Sequence, residues 1–459
     1  MTKRFTFLKT VAATAFVFFI SQTLYAQNSL LTKKKLANNI PVYIMQNGSN
    51  RMYAVYIVVQ GGTSLLSPDK SGLEYALFSM MTVGSEKYPY DELKSIEYKT
   101  KSTVSRASLN EGSILELNCI DYYFDTMLPV LADGFLHPSF DQEQYENLMK
   151  NFRQNIQEMN TEPGSILMYN VEKTLYKNHP YETMTTVTED SIDAITIDNM
   201  KKLHDTLLDA NRISIVAVGK FNEKSLLNKL NKTLGKIPSS GKPFVPATVE
   251  PIVVGGKPQV YTSPSAAGTG FVLQTFSSPS IESDDYVPSC IAANMYSELL
   301  YGIVREQYGA CYTPSSSVVS SKAPFGMVLL YQVSDLEHCA SYVAQAQSLM
   351  QQGKIISGKS FDGSFMYADI GERLEGYVNS YLNSKYQGMQ TNRGVAAKIA
   401  GSILQFNEPE KYLSLMKQAR TVTADDIVRV FTKYWCSQGS QWFAVVGPAD
   451  KEKAQASLP

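Results

Sequence analysis

The chain contains one passage twice, and that repetition constrains its fold more than any other feature. In the first half, Ala194-Ile-Thr-Ile-Asp-Asn-Met-Lys-Lys is followed by Arg212-Ile-Ser-Ile-Val-Ala-Val-Gly219. In the second, Arg420-Thr-Val-Thr-Ala-Asp-Asp-Ile-Val is followed by Gln441-Trp-Phe-Ala-Val-Val-Gly447. Each copy has a threonine able to cap a helix, an acidic first turn, an amphipathic helix and an apolar strand ending in glycine. The order of elements before each copy also repeats. Strands are expected over 41–45, 51–60, 103–107 and 113–119, and helices over 72–81, 125–135, 141–158, 165–176 and 196–208, from residue type and apolar spacing. The second half reads as a strand over 270–274, a helix over 286–306, strands over 310–319 and 326–333, then helices. This predicts an α+β fold of two homologous domains, each an antiparallel or mixed sheet with helices packed on one face.

Between the two copies, Pro238, Gly241, Pro243, Pro246, Pro251, Gly255 and Gly256 give the breaker density of a linker. The expected organisation is therefore a first domain over 27–235, a linker over 236–257 and a second domain over 258–459. Residues 1–26 read as a secretory signal: Lys3, Arg4 and Lys9 precede the apolar run 11–20, and Ala26 offers a small residue at the cut. That run falls short of the roughly 20 apolar residues a membrane span needs. The mature chain is expected to be exported, to the periplasm if the source is a Gram-negative bacterium, and not to span a membrane.

A net charge of −1 and the lack of basic tracts argue against nucleic acid as a partner. The five cysteines, Cys119, Cys290, Cys311, Cys339 and Cys436, are far apart and contain no C-x-x-C pair, so a zinc ribbon is excluded and at least one has no intrachain partner. No G-x-S-x-G elbow occurs, and residues 235–242 miss the spacing of a phosphate-binding loop by one residue. The only histidines, His137, His179, His204 and His338, are too scattered for two of them to share a helical turn. A histidine-based catalytic zinc site is not expected, because zinc needs neutral imidazoles one turn apart.

The segment Gly72-Leu-Glu-Tyr75-Ala-Leu-Phe78-Ser79-Met-Met-Thr-Val-Gly84-Ser85 resembles the inverted zinc motif of the insulinase and mitochondrial-processing-peptidase family, whose active members carry G-x-x-H-x-x-E-H followed by Gly-Thr. On that match Tyr75 and Ser79 stand where the two histidines would be, and Phe78 where the catalytic glutamate would be. None of the three can bind zinc as imidazole does or take a proton from metal-bound water. The family's third ligand aligns with Glu146, with Glu143 as neighbour, on a helix whose charged residues read as a solvated face. The metal expectation for this chain is none.

The segment Leu300-Tyr-Gly-Ile-Val-Arg305-Glu-Gln-Tyr-Gly-Ala-Cys-Tyr312 is similar to the family's second-domain signature. The resemblance implies that Arg305 and Tyr312 act on a substrate held at a zinc in the facing domain or subunit. A tyrosine hydroxyl can donate to an oxyanion and arginine can hold a carbonyl or carboxylate. Equally, an arginine is favoured at a helix C-terminus and a tyrosine in a sheet. In two-subunit members one chain carries the zinc motif and the other the Arg/Tyr pair, and this chain resembles the latter. The implied function is a zinc-less subunit, inactive alone, that binds no cofactor itself and positions unfolded peptides for a homologous partner bearing H-x-x-E-H and zinc. The alternative is a non-catalytic scaffold or peptide-binding protein of the same fold.

Overall fold

The computed structural model describes residues 31–459; the expected signal over 1–26 lies outside the described residues. The first half builds a sheet from β1 (Leu31–Lys35), β2 (Pro41–Gln46), β3 (Met52–Gln60), β4 (Thr103–Leu109), β5 (Gly112–Ile120) and β6 (Ile213–Gly219). Around it lie α1 (Leu73–Met80), α2 (Tyr90–Thr100), α3 (Phe124–Leu136), α4 (Gln142–Thr161), α5 (Pro163–Leu175), α6 (Ile197–Leu207) and α7 (Glu223–Lys232). The second half contains β7 (Gln259–Thr262), β8 (Gly270–Ser277), α8 (Tyr286–Leu300), β9 (Cys311–Val318), β10 (Phe325–Val333) and α9 (Cys339–Gln351). It continues through the hairpin β11 (Lys354–Lys359) and β12 (Phe365–Asp369), then α10 (Ile370–Gln387), α11 (Asn392–Phe406), α12 (Lys411–Ala419), α13 (Ala424–Phe431), β13 (Ser440–Val446) and α14 (Lys451–Ser457). Among the described residues, no helix is long and apolar enough to cross a membrane.

The repeat seen in the sequence becomes a repeat of topology. Strand order is β1-β2-β6-β3-β5-β4 in the first sheet and β7-β13-β8-β10-β9 in the second. In each, one parallel pair (β2 with β6, β7 with β13) is followed by antiparallel neighbours. β1 is an extra edge strand of the first sheet. The threonines of the repeated passage cap their helices: Thr196 Oγ1 accepts from Asn199 N at 3.1 Å and Thr423 Oγ1 from Asp426 N at 3.1 Å.

Both sheets are apolar on both faces, and alternation along each strand assigns the faces. In β3, Val55, Ile57 and Val59 face the helices of their own half, while Ala54, Tyr56 and Val58 face the other way. That second face is sealed by α11, from the other half, through Ala396, Ile399, Ala400, Ile403 and Leu404. Reciprocally, α5 of the first half sets Leu167 and Val171 against Phe271, Leu273, Phe443 and Val445 of the second sheet. Each half keeps its own helices on one face and lends one helix to the other half's sheet.

Two local departures from the sequence expectation occur in the second half. The hairpin of β11 and β12 interrupts what reads as a run of helices. The helix expected over 286–306 is regular only to Leu300 and continues as a wider π-helical turn, Tyr301–Gln307. All five cysteines are free thiols.

Candidate functional site

Helix α1 starts at Gly72, whose φ of 76° is left-handed and whose missing side chain leaves room for Val187; a Cβ there would meet Val187 N at 2.5 Å. The helix is anchored from that side by Gly72 N donating to Met184 O at 3.0 Å. Leu73, Glu74, Ala76, Leu77, Phe78, Ser79 and Met80 are all buried. Phe78 is 0% exposed and belongs to the first-half core. Ser79 turns its hydroxyl back to donate to Tyr75 O at 2.6 Å.

Tyr75 is engaged by residues far along the chain. Arg106 Nη2 on β4 donates to its hydroxyl at 2.9 Å, and the guanidinium carbon lies 4.5 Å from the ring centroid. The Phe152 ring on α4 lies 6.0 Å away on centroids. Zinc does not fit this donor set: a guanidinium already takes the phenol, and Phe78 and Phe152 offer no lone pair. Glu146 is exposed and accepts from Gln142 Nε2 at 2.9 Å, and Glu143 is also exposed. Three of the four histidines have other partners. His204 Nε2 meets Phe135 O at 2.7 Å and His179 Nε2 meets Glu250 O at 3.1 Å, while His338 Nδ1 pairs with Asp335 at 3.0 Å. Among the described residues, no group of three or more His, Cys, Asp or Glu is placed to hold a metal.

One ionisable group beside the motif escaped the sequence reading. Glu74 is fully enclosed and accepts from Ser113 Oγ; burial raises its carboxyl to about 7, against the lowering influence of Ser113 and Arg212. A glutamate inside the otherwise apolar Leu-Glu-Tyr-Ala-Leu-Phe was the available signal. Because its folded value lies above the free value of 4.5, the folded state holds the extra proton between them. Stability from this group is full below about 4.5 and is lost as pH rises through about 7. The loss amounts to about 3 kcal/mol. Glu74→Gln keeps the acceptor and removes the charge, so its stability gain over the parent should grow by roughly 3 kcal/mol between pH 5 and pH 8. Denaturant unfolding of both proteins at the two values measures this; a flat difference overturns it.

The second predicted pair does come together. The π-helical turn at the end of α8 carries Arg305, and the following turn at Gly309 (φ 61°) brings the chain back into β9 with Tyr312 at its start. Arg305 Nη1 donates to Tyr312 O at 2.7 Å, and its guanidinium carbon lies 5.1 Å from the Tyr301 ring and 4.8 Å from the Tyr312 ring. The side chain of Tyr312 stands out from the surface, the residue being 60% exposed. Among the described residues its hydroxyl has no hydrogen-bond partner and Arg305 has no carboxylate partner. Tyr301 and Tyr308 are exposed nearby in sequence, and Tyr308 stacks on Tyr342 at 3.8 Å. No hydrogen bond, ion pair or ring contact among the described residues links this pair to Tyr75, Phe78 or Ser79.

Residues 42–189 match the family profile described as "Insulinase (Peptidase family M16)", and residues 194–353 match "Peptidase M16 inactive domain". Together the two matches cover well over half of the chain. The chain belongs to peptidase family M16. Curated relatives include an "Uncharacterized zinc protease YmxG" of Bacillus subtilis, 20% identical over 205 residues, covering 45% of this chain and 50% of that protein. A "Non-peptidase homolog YmxG" of Helicobacter pylori is 21% identical over 224 residues, covering 48% of this chain and 50% of that protein. The alignments thus span half the length of the curated relatives. A protease from Helicobacter pylori superposes with a TM-score of 0.79 at 13% identity, over 90% of this chain and 99% of that one. A peptidase M16 inactive domain from Pseudomonas fluorescens gives 0.76 at 14%, over 91% and 98%. These structures share the two-domain M16 fold. One relative's name says protease and another's says non-peptidase, so the chemistry of this M16 member must be read from its own residues. It lacks the H-x-x-E-H motif.

Proposed function

We propose that this M16 homologue is an exported, zinc-less subunit of a two-chain peptidase, in which it binds unfolded peptide and presents Arg305 and Tyr312 to a substrate held at the zinc of a homologous H-x-x-E-H chain. One observation carries the reading: Tyr75 is already held by Arg106 and Phe78 is buried in the core, whereas Arg305 is held at an exposed aromatic surface beside a phenol whose hydroxyl is unspent. A tyrosine hydroxyl free to donate, with a fixed guanidinium beside it, suits an oxyanion or a substrate carbonyl. The same geometry also favours a second reading. Arg305 is satisfied within its own loop, by the Tyr312 carbonyl and two rings, and a scaffold that merely offers an aromatic peptide-binding surface needs nothing more.

The isolated chain is expected to bind no stoichiometric zinc and to cleave nothing, and activity is expected on adding the zinc-bearing homologue. Metal analysis and peptidase assays with and without that partner test this; zinc with turnover in the isolated chain overturns it. In the assembly, Tyr312→Phe and Arg305→Ala should each lower turnover about 10- to 100-fold with assembly intact. Unchanged turnover in both variants would leave the scaffold reading.

A further inference from the structure

A cavity of about 220 Å³ lies among α10, α11 and α12, close to the start of α8. Its walls include Ile281, Met389, Phe406, Leu415 and Met416, and two lysines, Lys385 and Lys398, also line it. No carboxylate lines the cavity. Among the described residues neither ammonium has an ion-pair or hydrogen-bond partner. Lys385 Nζ rests 4.8 Å from the Tyr381 ring centroid, and the Lys398 charge acts against it.

The groups facing Lys385 do not supply a negative charge. Burial pushes the Cys290 thiol up to about 11 and pushes the phenols of Tyr286 and Tyr381 well above their ordinary range. All three are therefore neutral at physiological pH. A pair of uncompensated cations in a partly desolvated site is unfavourable for the empty protein and attractive for an anion. The volume is below the roughly 300–1,000 Å³ of sites for drug-sized ligands, which limits the occupant to a small molecule.

We infer that this cavity is a binding site for a small amphiphilic carboxylate, with its carboxyl group between Lys385 and Lys398 and its apolar body against Met389, Phe406, Leu415 and Met416. The polar head and apolar walls both contribute, so a charge without a tail and a tail without a charge each bind weakly. Octanoate and N-acetylphenylalanine carry the same chemistry from two sources, a fatty acid and an amino-acid derivative.

Calorimetric titration of the purified full chain tests the site. Octanoate or N-acetylphenylalanine is expected to bind at least about tenfold more tightly than octan-1-ol or inorganic phosphate. Whichever of the two acids binds better identifies the source. Lys385→Met and Lys398→Met should each weaken binding of that acid by about tenfold while leaving octan-1-ol unchanged, and Lys385→Arg should retain it. Should Lys385→Met fail to fold, Lys398→Met carries the test. Equal binding of octanoate and octan-1-ol, no binding of either acid, or acid affinity unchanged in a folded lysine variant overturns the inference.

Discussion

Replacing Phe78 with glutamate should lower the unfolding free energy by roughly 4–6 kcal/mol, even though glutamate is the residue that the resemblance to the family's zinc motif would place there. Phe78 is 0% exposed, within the core formed by α1, the first sheet and α3. Glutamate there removes a large apolar side chain and places a carboxylate among apolar core residues. Full restoration with Tyr75→His, Phe78→Glu and Ser79→His is expected to remain without stoichiometric zinc. Arg106 would still bring its positive charge to position 75, and Phe152 on α4 would still offer that position a ring with no lone pair. Denaturant unfolding and metal analysis measure both effects. A restored motif that takes up one zinc per chain at unchanged stability would show that the helix had kept its site.

The second large effect concerns the exchanged helix. Ile399→Asp should cost about 4 kcal/mol and detach α11 from the first sheet. Ile399 is 0% exposed, in the layer that covers Ala54, Tyr56, Val58, Val216 and Val218. A carboxylate in that layer has no hydrogen-bond donor to replace water, so undocking the helix is the cheaper response. Ala397→Asp, on the exposed side of the same helix, should cost no more than about 1 kcal/mol. The expected signature is dye binding to newly exposed apolar surface and faster proteolysis around 388–391 in the first variant alone. Equal behaviour of the two would mean that α11 is not needed to seal the sheet.

Much of this architecture was legible in the sequence because it rests on local rules. The threonine caps at 196 and 423, the apolar strands that follow them and the helices over 124–136 and 197–207 are set by neighbours within a few residues. The missed elements have weaker local signals. Helix α2, Tyr-Asp-Glu-Leu-Lys-Ser-Ile-Glu-Tyr-Lys-Thr, buries little beyond Leu93 and Thr100, so its apolar stripe is thin. The π-helical turn after Leu300 continues the helical pattern, and only its hydrogen bonding tells it apart.

The sequence by itself determined that the chain carries no H-x-x-E-H motif, because residue identity does not depend on the fold. It also determined the duplication, because periodicity and capping are local. Only the tertiary structure decided what surrounds Tyr75. Arg106 and Phe152 reach Tyr75 from a strand and a helix well separated in the chain, and which residue meets which is set by sheet register and helix packing. Tertiary packing likewise decided that α5 and α11 are exchanged between the halves. An amphipathic helix specifies that an apolar stripe must be covered, and the surface that covers it is chosen by the rest of the molecule.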